Sequence, residues 1–247
     1  IILLALNYRT RSIRKKEKQK SEIARKIQSL EIKALTAQMN PHFVFNAITS
    51  IQNCILGNNV DSALQYLSEF SSIIRLTLEN VNKDFISLSE ELDYINYYLS
   101  IEKLRFRNAF EAELKTEPEI EKDNILIPPM IIQPHIENAI HHGLIPLKKA
   151  GHLKIAFSLH NENTIKCIIE DNGIGRAASH TINEAKWGKK HISRGSRISR
   201  ERIELYRKTE NSDGFMLEII DLYKEEGAMR KAAGTRVILM LPCKKVF

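Results

Sequence analysis

The hydrophobic pattern of this 247-residue chain changes its period near residue 107, and that change most limits the possible folds. Before it, apolar residues recur at steps of three and four, which is the spacing of one helix face. After it, short runs alternate apolar and charged residues, as in Phe110, Ala112 and Leu114, which is the spacing of a strand. The sequence therefore predicts an α+β protein, with a helical region followed by an α/β two-layer sandwich.

The helical part contains three long predicted helices, besides a bend or helix restart at Pro41. A run without Gly or Pro covers residues 9–39, and its heptad-like stripe favours a two-helix seam, hence a homodimer, over an ordinary amphipathic helix. A second helix is predicted over residues 61–81, after a turn at 57–59. Ser87 and Glu90 form a capping-box pattern, so a third helix should run from about Leu88 to Phe106.

A single histidine lies just after the first predicted helix, where the chain is expected to bend or to start another helix. His42 directly follows Pro41, and Asn40 and Asn46 flank the pair. Proline fits the first turn of a helix but not its interior, so the chain should bend here or start a helix with Asn40 as its N-cap. His42 is then either a helix-start histidine bonded to a carbonyl or a nucleophile that accepts a phosphoryl group on neutral imidazole.

The net charge of +7 is confined to one segment. Residues 9–26 hold nine basic and two acidic residues, and the remainder of the chain is neutral. This distribution argues against a nucleic-acid-binding surface on the folded part. The basic segment follows a short apolar run at residues 1–8, which resembles the cytoplasmic end of a transmembrane helix under the positive-inside rule. The three cysteines, Cys54, Cys167 and Cys243, lack metal-binding spacing.

The second half predicts alternating helices and strands. Pro128 and Pro129 open an apolar helix over 130–142, which Gly143 closes. Strands are expected at 153–159, 165–169, 215–223 and 235–241, and the last two are joined through 225–234. A helix is expected at 198–207. The polar stretch 176–194 has few apolar anchors, which predicts a mobile segment.

Three short motifs in this half suggest nucleotide chemistry. Asn138 offers a carbonyl oxygen that could hold Mg²⁺ on a phosphate, and the preceding Glu137 could accept a proton. Asp171 begins an Asp-x-Gly-x-Gly loop, in which a carboxylate could bind the exocyclic amine of adenine while glycines let the backbone come close. Gly234-Thr235 adds a third close approach and a hydroxyl. Each motif alone also has a plain structural interpretation, as a buried Asn or a turn.

Taken together and in order, these motifs closely resemble the LytS/YehU-type sensor histidine kinases, from about residue 35 to residue 241. The resemblance rests on a phosphoacceptor box at 40–46, a helix at 88–106, an N box at 127–143, a first glycine box at 171–175 and a final glycine motif at 234–235. A second glycine box is reduced: only Gly195 remains clear, followed by Ser196 and Arg197.

The resemblance implies a protein-histidine kinase with a Bergerat-type ATPase domain. It implies His42 as the phosphorylated residue, Asn138 as the Mg²⁺ ligand and Asp171 as the residue that reads adenine, with Glu137 as candidate base. The nucleotide would also contact a further set of residues: His142, Gly173, Gly175, Gly195, Ser196, Arg197, Gly234 and Thr235. ATP and Mg²⁺ are the expected cofactors, and a response-regulator aspartate is the expected acceptor.

The resemblance also implies a domain order and a location at the inner (cytoplasmic) membrane. Residues 1–8 would end a transmembrane helix, 9–34 would form a signalling coiled coil, 35–107 the dimerisation and phosphoacceptor region, and 108–247 the ATP-binding domain. Two alternatives stay open. One is a free-standing ATPase of the same fold. The resemblance implies that such enzymes have a catalytic carboxylate four residues before the Asn, and this chain has Pro134 there. The other is a scaffold that binds nucleotide without catalysis.

Overall fold

The computed structural model describes Arg14 and residues 41–80, 83–147, 149–187, 215–226 and 229–245. The chain forms two compact units, residues 1–49 and 50–247. Its helices, in chain order, are α1 (Pro41–Leu56), α2 (Val60–Asn80), α3 (Leu88–Arg105), α4 (Gln133–Asn138), a π-helix (Ala139–Leu144) and α5 (Arg176–Trp187). Its strands are β1 (Ile86–Ser87), β2 (Phe110–Thr116), β3 (Ile125–Ile127), β4 (Gly151–Asn161), β5 (Thr164–Asp171), β6 (Met216–Glu226), β7 (Met229–Pro242) and β8 (Lys244–Lys245).

In the first unit, the structure describes Arg14, which is helical, and the first nine residues of α1. Helix α1 has Pro41 as its first residue, as predicted from the tolerance of proline in a first helical turn. The rest of the predicted helix at 9–39 and the predicted N-cap Asn40 lie outside the described residues. Phe45 is 69% exposed and Ile48 is 46% exposed, so this unit presents apolar side chains to solvent.

In the second unit, α2 and α3 pack against each other and follow the predicted periods. The capping box at the start of α3 is present: Ser87 Oγ accepts from the Glu90 amide at 3.1 Å, and Glu90 accepts from the Ser87 amide at 2.9 Å. These two bonds satisfy N-terminal groups that the helix itself leaves unpaired, which is why α3 begins where it does. Nowhere in the described ranges does a helix reach the length and apolarity needed to cross a membrane.

A five-stranded mixed sheet forms the centre of the second unit, in the order β2-β4-β5-β7-β6. Strands β2 and β4 are parallel, and the other neighbours are antiparallel. Alternate residues of the central strands are buried, among them Ile155, Ile165, Cys167 and Leu239. Helices followed by a mixed α/β domain confirm the predicted fold class.

The structure corrects the predicted apolar helix at 130–142. Met130 takes a left-handed backbone conformation, with φ of 59°, and α4 starts only at Gln133, with Pro134 in its first turn. Proline has no N–H to donate, so the first turn is the position that loses nothing by it. From Ala139 the chain changes to a π-helix that ends at Leu144, and π-turns are rare and frequent at functional sites.

Three further features differ from the prediction. Residues 176–187 of the stretch predicted to be mobile form α5. The predicted connection at 225–234 is mostly strand, because β6 and β7 continue their pairing out to Glu226 and Met229. The small sheet β1-β3-β8 was not predicted, since its strands have only two or three residues and show no period. The predicted helix at 198–207 lies outside the described residues.

Candidate functional site

Asp171 is the last residue of the central strand β5 and points into the interior. It shares the buried face with Ile165, Cys167 and Ile169, because alternate residues of a strand point to the same side. Its side chain is only 4% exposed. In the sheet Asp171 is the register partner of Thr235 on β7 and of Leu153 on β4. The pairing thus brings two of the predicted motifs, Asp171 and Gly234-Thr235, next to each other.

Three glycines pack directly around Asp171. A Cβ added at Gly143 would lie 2.8 Å from Asp171 Oδ1. A Cβ at Gly173 would overlap the backbone of Gly143, and one at Gly234 would overlap the carbonyl oxygen of Asp171. Gly234 also has φ of 125°, a conformation that side chains disfavour. Glycine is therefore required here by close contact between backbone segments of the chain itself, whereas the sequence motifs predicted a close approach to a base or a phosphate.

The loop after Asp171 is held by hydrogen bonds from three directions. The Gly173 amide donates to Asp171 Oδ1 at 2.8 Å, and the Ile174 amide donates to the Gly143 carbonyl at 3.1 Å. Asn172 Oδ1 accepts from the His152 amide at 2.7 Å. The loop therefore connects the π-helix to the first residues of β4. Asn172 and Gly143 were not predicted as site residues, and their role appears only when the sheet register is known.

Burial raises the pKa of the Asp171 carboxyl from 3.8 to about 6, although amides of Gly173 and Thr235 donate to it and act in the opposite direction. Burial therefore outweighs these two amide donors and makes the ionised carboxylate costly. A ligand that offers an N–H to Asp171 would supply the missing stabilisation. A buried carboxyl with a raised pKa beside a glycine-rich loop is a candidate recognition site.

Gly175 and Arg176 fix the far end of the loop. Gly175 has φ of 77°, and a Cβ there would lie 2.9 Å from the Cβ of Ala232. Arg176 makes a bidentate pair with Asp221 on β6, with both N–O distances 2.7 Å. This pair joins the start of α5 to β6, the edge strand of the sheet. It was not predicted from the sequence, because the two residues are 45 positions apart.

Asn138 and His142 lie at the α4 to π-helix junction, on the segment that also carries Gly143. Both side chains are half-buried. Burial lowers the pKa of the His142 imidazole, and the neighbouring His141 lowers it further. His142 is therefore neutral near pH 7, and its imidazole can donate or accept a hydrogen bond.

Glu137 belongs to a different group of side chains. It accepts from Gln133 at 3.1 Å, and burial raises its pKa while His141 lowers it. Its charge also contributes to the raised pKa values of Tyr94 and Tyr98 on α3. Glu137 thus faces α3, and its predicted role as a base stays a prediction.

The remaining predicted site residues are not joined to this group by the described structure. His42 is the second residue of α1 and belongs to the first compact unit. Gly195, Ser196 and Arg197 lie outside the described residues. In the ranges that are described, no group of three or more His, Cys, Asp or Glu side chains is arranged to hold a metal ion by itself.

Comparison with known proteins adds an independent observation. Residues 30–110 match the family model described as histidine kinase. The chain is 32% identical over 160 residues to the sensor histidine kinase/phosphatase LytS of Staphylococcus aureus, covering 64% of this chain and 27% of that protein. It is 33% identical over 149 residues to the sensor protein LytS of Bacillus cereus, covering 60% of this chain and 25% of that protein. The chain thus spans about a quarter of the length of these curated relatives.

Among solved structures, the chain is similar to the histidine kinase domain of the blue-light activated histidine kinase EL346 from Erythrobacter litoralis. The TM-score is 0.45 at 16% sequence identity, over 87% of this chain and 95% of that one. The similarity to the LytS proteins confirms the resemblance predicted from the motifs.

Proposed function

We propose, from its similarity to the LytS sensor histidine kinases, that this chain transfers a phosphoryl group from ATP to its own His42 and then to a response-regulator aspartate. The observation that carries the proposal is the buried Asp171 carboxylate, which is enclosed by glycine backbone and whose pKa is raised by burial. An adenine amine is the kind of donor that would complete it. No other described carboxylate combines burial with such a glycine-lined loop.

The residues around Asp171 support binding of the rest of the nucleotide. Gly173 and Gly234 let the backbone pack closely around Asp171, and Thr235, its register partner on β7, adds a hydroxyl beside it. His142 is neutral near pH 7, so it can form a hydrogen bond with the ribose or the phosphates without adding a positive charge beside the Mg²⁺. Gly195, Ser196 and Arg197 are proposed to cover the phosphates from the second glycine box.

Asn138 fits a Mg²⁺ that arrives with the nucleotide. The ion prefers oxygen ligands and usually keeps waters and phosphate oxygens around a few protein groups, so one amide oxygen and no carboxylate cluster is a suitable protein contribution. When bound, Mg²⁺ neutralises charge on the phosphates.

The proposed transfer is an in-line displacement at the terminal phosphorus. A bond forms from a His42 ring nitrogen to the phosphorus, the bond from phosphorus to the bridging oxygen breaks, and ADP leaves with the electron pair. The imidazole proton passes to a base, for which Glu137 is the candidate. The phosphoryl group then moves from the nitrogen to the carboxylate of the response regulator.

Exposed leucines on α2 support the proposed homodimer. Leu64 is 60% exposed, and Leu67 and Leu78 are each 48% exposed. These positions recur along one side of the helix, as expected of a face that packs against a second helix. A second copy of the chain is the occupant that we propose. The membrane attachment through residues 1–8 stays a prediction, because those residues lie outside the described part.

Labelling with γ-³²P-ATP and Mg²⁺ tests the proposed function. We expect acid-labile, alkali-stable label on the wild-type chain, none on His42→Gln, and strongly reduced label on Asn138→Asp. Label that persists in His42→Gln would overturn the assignment of His42. Sustained ATP hydrolysis without phosphohistidine would favour the free-standing ATPase, and nucleotide binding with neither activity would favour the scaffold.

A further inference from the structure

The Glu102 carboxylate on α3 is completely buried, at 0% exposure. Glutamate is almost never buried to this extent unless it is paired. Here Arg105 Nη1 donates to both carboxylate oxygens, at 3.3 and 3.5 Å. The other partner is distant in sequence: His141 Nε2 lies 3.2 Å from Glu102 Oε2.

Two aromatic contacts close this group into a ring of interactions. The Arg105 guanidinium lies 4.7 Å from the centre of the Phe106 ring. Phe106 in turn meets the His141 ring edge to face, with centroids 5.6 Å apart and planes at 75°. We call Glu102, Arg105, Phe106 and His141 the Glu102 cluster. Its first three members come from the end of α3 and its cap, and the fourth comes from the π-helix.

A buried ion pair is a poor way to gain stability. Removing two charged groups from water costs several kcal/mol per ion, and well-packed apolar side chains often serve as well or better. What such a pair supplies is a defined relative position, because both partners must meet with the right geometry. The Glu102 cluster therefore fixes where the π-helix lies against the end of α3.

The π-helix connects this cluster to Asp171. Two residues after His141, the Gly143 Cα faces Asp171 Oδ1, and the Gly143 carbonyl accepts from the Ile174 amide. The π-helix is thus held by Glu102 on one side and by the Asp171 loop on the other. A shift of a few tenths of an ångström at His141 would displace Gly143. Gly143 would then push against Asp171 and Gly173, because it is in close contact with both.

We propose that Glu102 is a positioning residue for the nucleotide site: it acts through His141 to hold the π-helix, and so Gly143, against the Asp171 loop. The nucleotide part of this inference rests on the proposed function. Its structural part concerns the ligand-free chain and is tested separately. Glu102 itself need not touch nucleotide.

Amide hydrogen exchange of the ligand-free chain, measured by NMR, tests the structural part. In Glu102→Gln we expect the Ile174 and Gly173 amides to exchange about tenfold faster or more, the scale of one lost charge-assisted bond. Amides in the β5–β7 pairing report global opening and should change less. Glu91→Gln is the matched control, because Glu91 is also buried in α3, at 2% exposure, but its charge acts on Tyr94 and Cys167.

Several outcomes separate the possibilities. Equal acceleration of loop and β5–β7 amides in Glu102→Gln would overturn the proposal, because it would show a general loss of stability only. Unchanged Ile174 and Gly173 amides would overturn it too. Acceleration of the same loop amides in Glu91→Gln would show that any buried charge in α3 has this effect, which also contradicts the proposal.

A double-mutant cycle on ADP affinity tests the nucleotide part. His141→Phe keeps the contact between aromatic rings but removes the group that meets Glu102. We expect each single variant to weaken ADP binding about tenfold and the double variant to be no weaker than His141→Phe alone. Additive losses would contradict action through His141. A wild-type chain that binds no ADP would overturn the proposed function and this cycle, while the exchange experiment would still decide the structural part.

Discussion

Adenosine binding should weaken as the pH falls through about 6, because protonation of Asp171 removes the negative charge that strengthens its hydrogen bond from the adenine amine. Burial raises the pKa of this carboxyl to about 6. Roughly nine-tenths of the groups are then ionised at pH 7 and roughly one-tenth at pH 5, so the affinity should fall about tenfold between these values. Adenosine is the right probe since it carries no phosphate that titrates in this range.

Isothermal titration calorimetry at pH 5.0, 5.5, 6.0, 6.5 and 7.0 measures the effect, with Asp171→Asn as the paired variant. We expect weak binding at every pH in that variant and no loss on acidification. Protonation of His142 would change nucleotide affinity in the opposite direction to protonation of Asp171. Its pKa is lowered, so it gains a positive charge only at the acid end, which would strengthen binding of phosphates and leave adenosine largely unaffected.

The same carboxyl should affect folding with the opposite dependence. The folded chain holds the Asp171 proton up to about pH 6, whereas the unfolded chain releases it near 3.8. The unfolded state therefore binds fewer protons between these values, and the free energy of unfolding falls as the pH rises through them, by at most about 3 kcal/mol. Asp171→Asn should remove this pH-dependent component of the unfolding free energy from urea titrations.

A wild-type adenosine affinity that stays flat from pH 7 to pH 5 would refute the assignment of Asp171.

Three further predictions follow from single contacts. Gly234→Ala should destabilise the chain by more than about 2 kcal/mol in urea unfolding and abolish nucleotide binding, because its Cβ would overlap the Asp171 carbonyl at a positive φ; near-normal stability would contradict the close packing. Ser87→Ala should cost about 1 kcal/mol through loss of the capping box of α3, without changing ADP affinity; a loss below about 0.3 kcal/mol would contradict it. Leu67→Lys should shift the chain from dimer to monomer in analytical ultracentrifugation, and an unchanged dimer would remove α2 from the interface.

The elements with a clear period or cap could be predicted from the sequence. Helix α3 follows its capping box, and β5 follows a buried face that ends in Asp171. The importance of the glycines at 173 and 234 was also predictable from the Asp-x-Gly-x-Gly loop and the Gly-Thr pair, but their contacts with the backbone of Gly143 and Asp171 were not. In these cases the local pattern and the tertiary structure favour the same conformation.

Other features depend on contacts that a linear pattern does not contain. The π-helix arises where the apolar run continues past α4, and nothing in its side chains distinguishes it from an α-helix. Glu102 pairs with His141, which lies 39 positions further along the chain. The alternation of apolar and charged residues along α3 does not distinguish Glu102 from its other charged residues. The long β6–β7 hairpin keeps charged residues in strand conformation through pairing alone, which overrides their low intrinsic preference.

Mass-spectrometric mapping of the phosphorylated residue most directly tests the central claim that His42 receives the phosphoryl group. The chain is incubated with ATP and Mg²⁺, digested at alkaline pH to preserve phosphoramidate, and fragmented by electron transfer. We expect an added phosphoryl group on His42, absent when ATP is replaced by ADP. A phosphoryl group found only on another residue, or none on a chain that binds ATP, would contradict the claim.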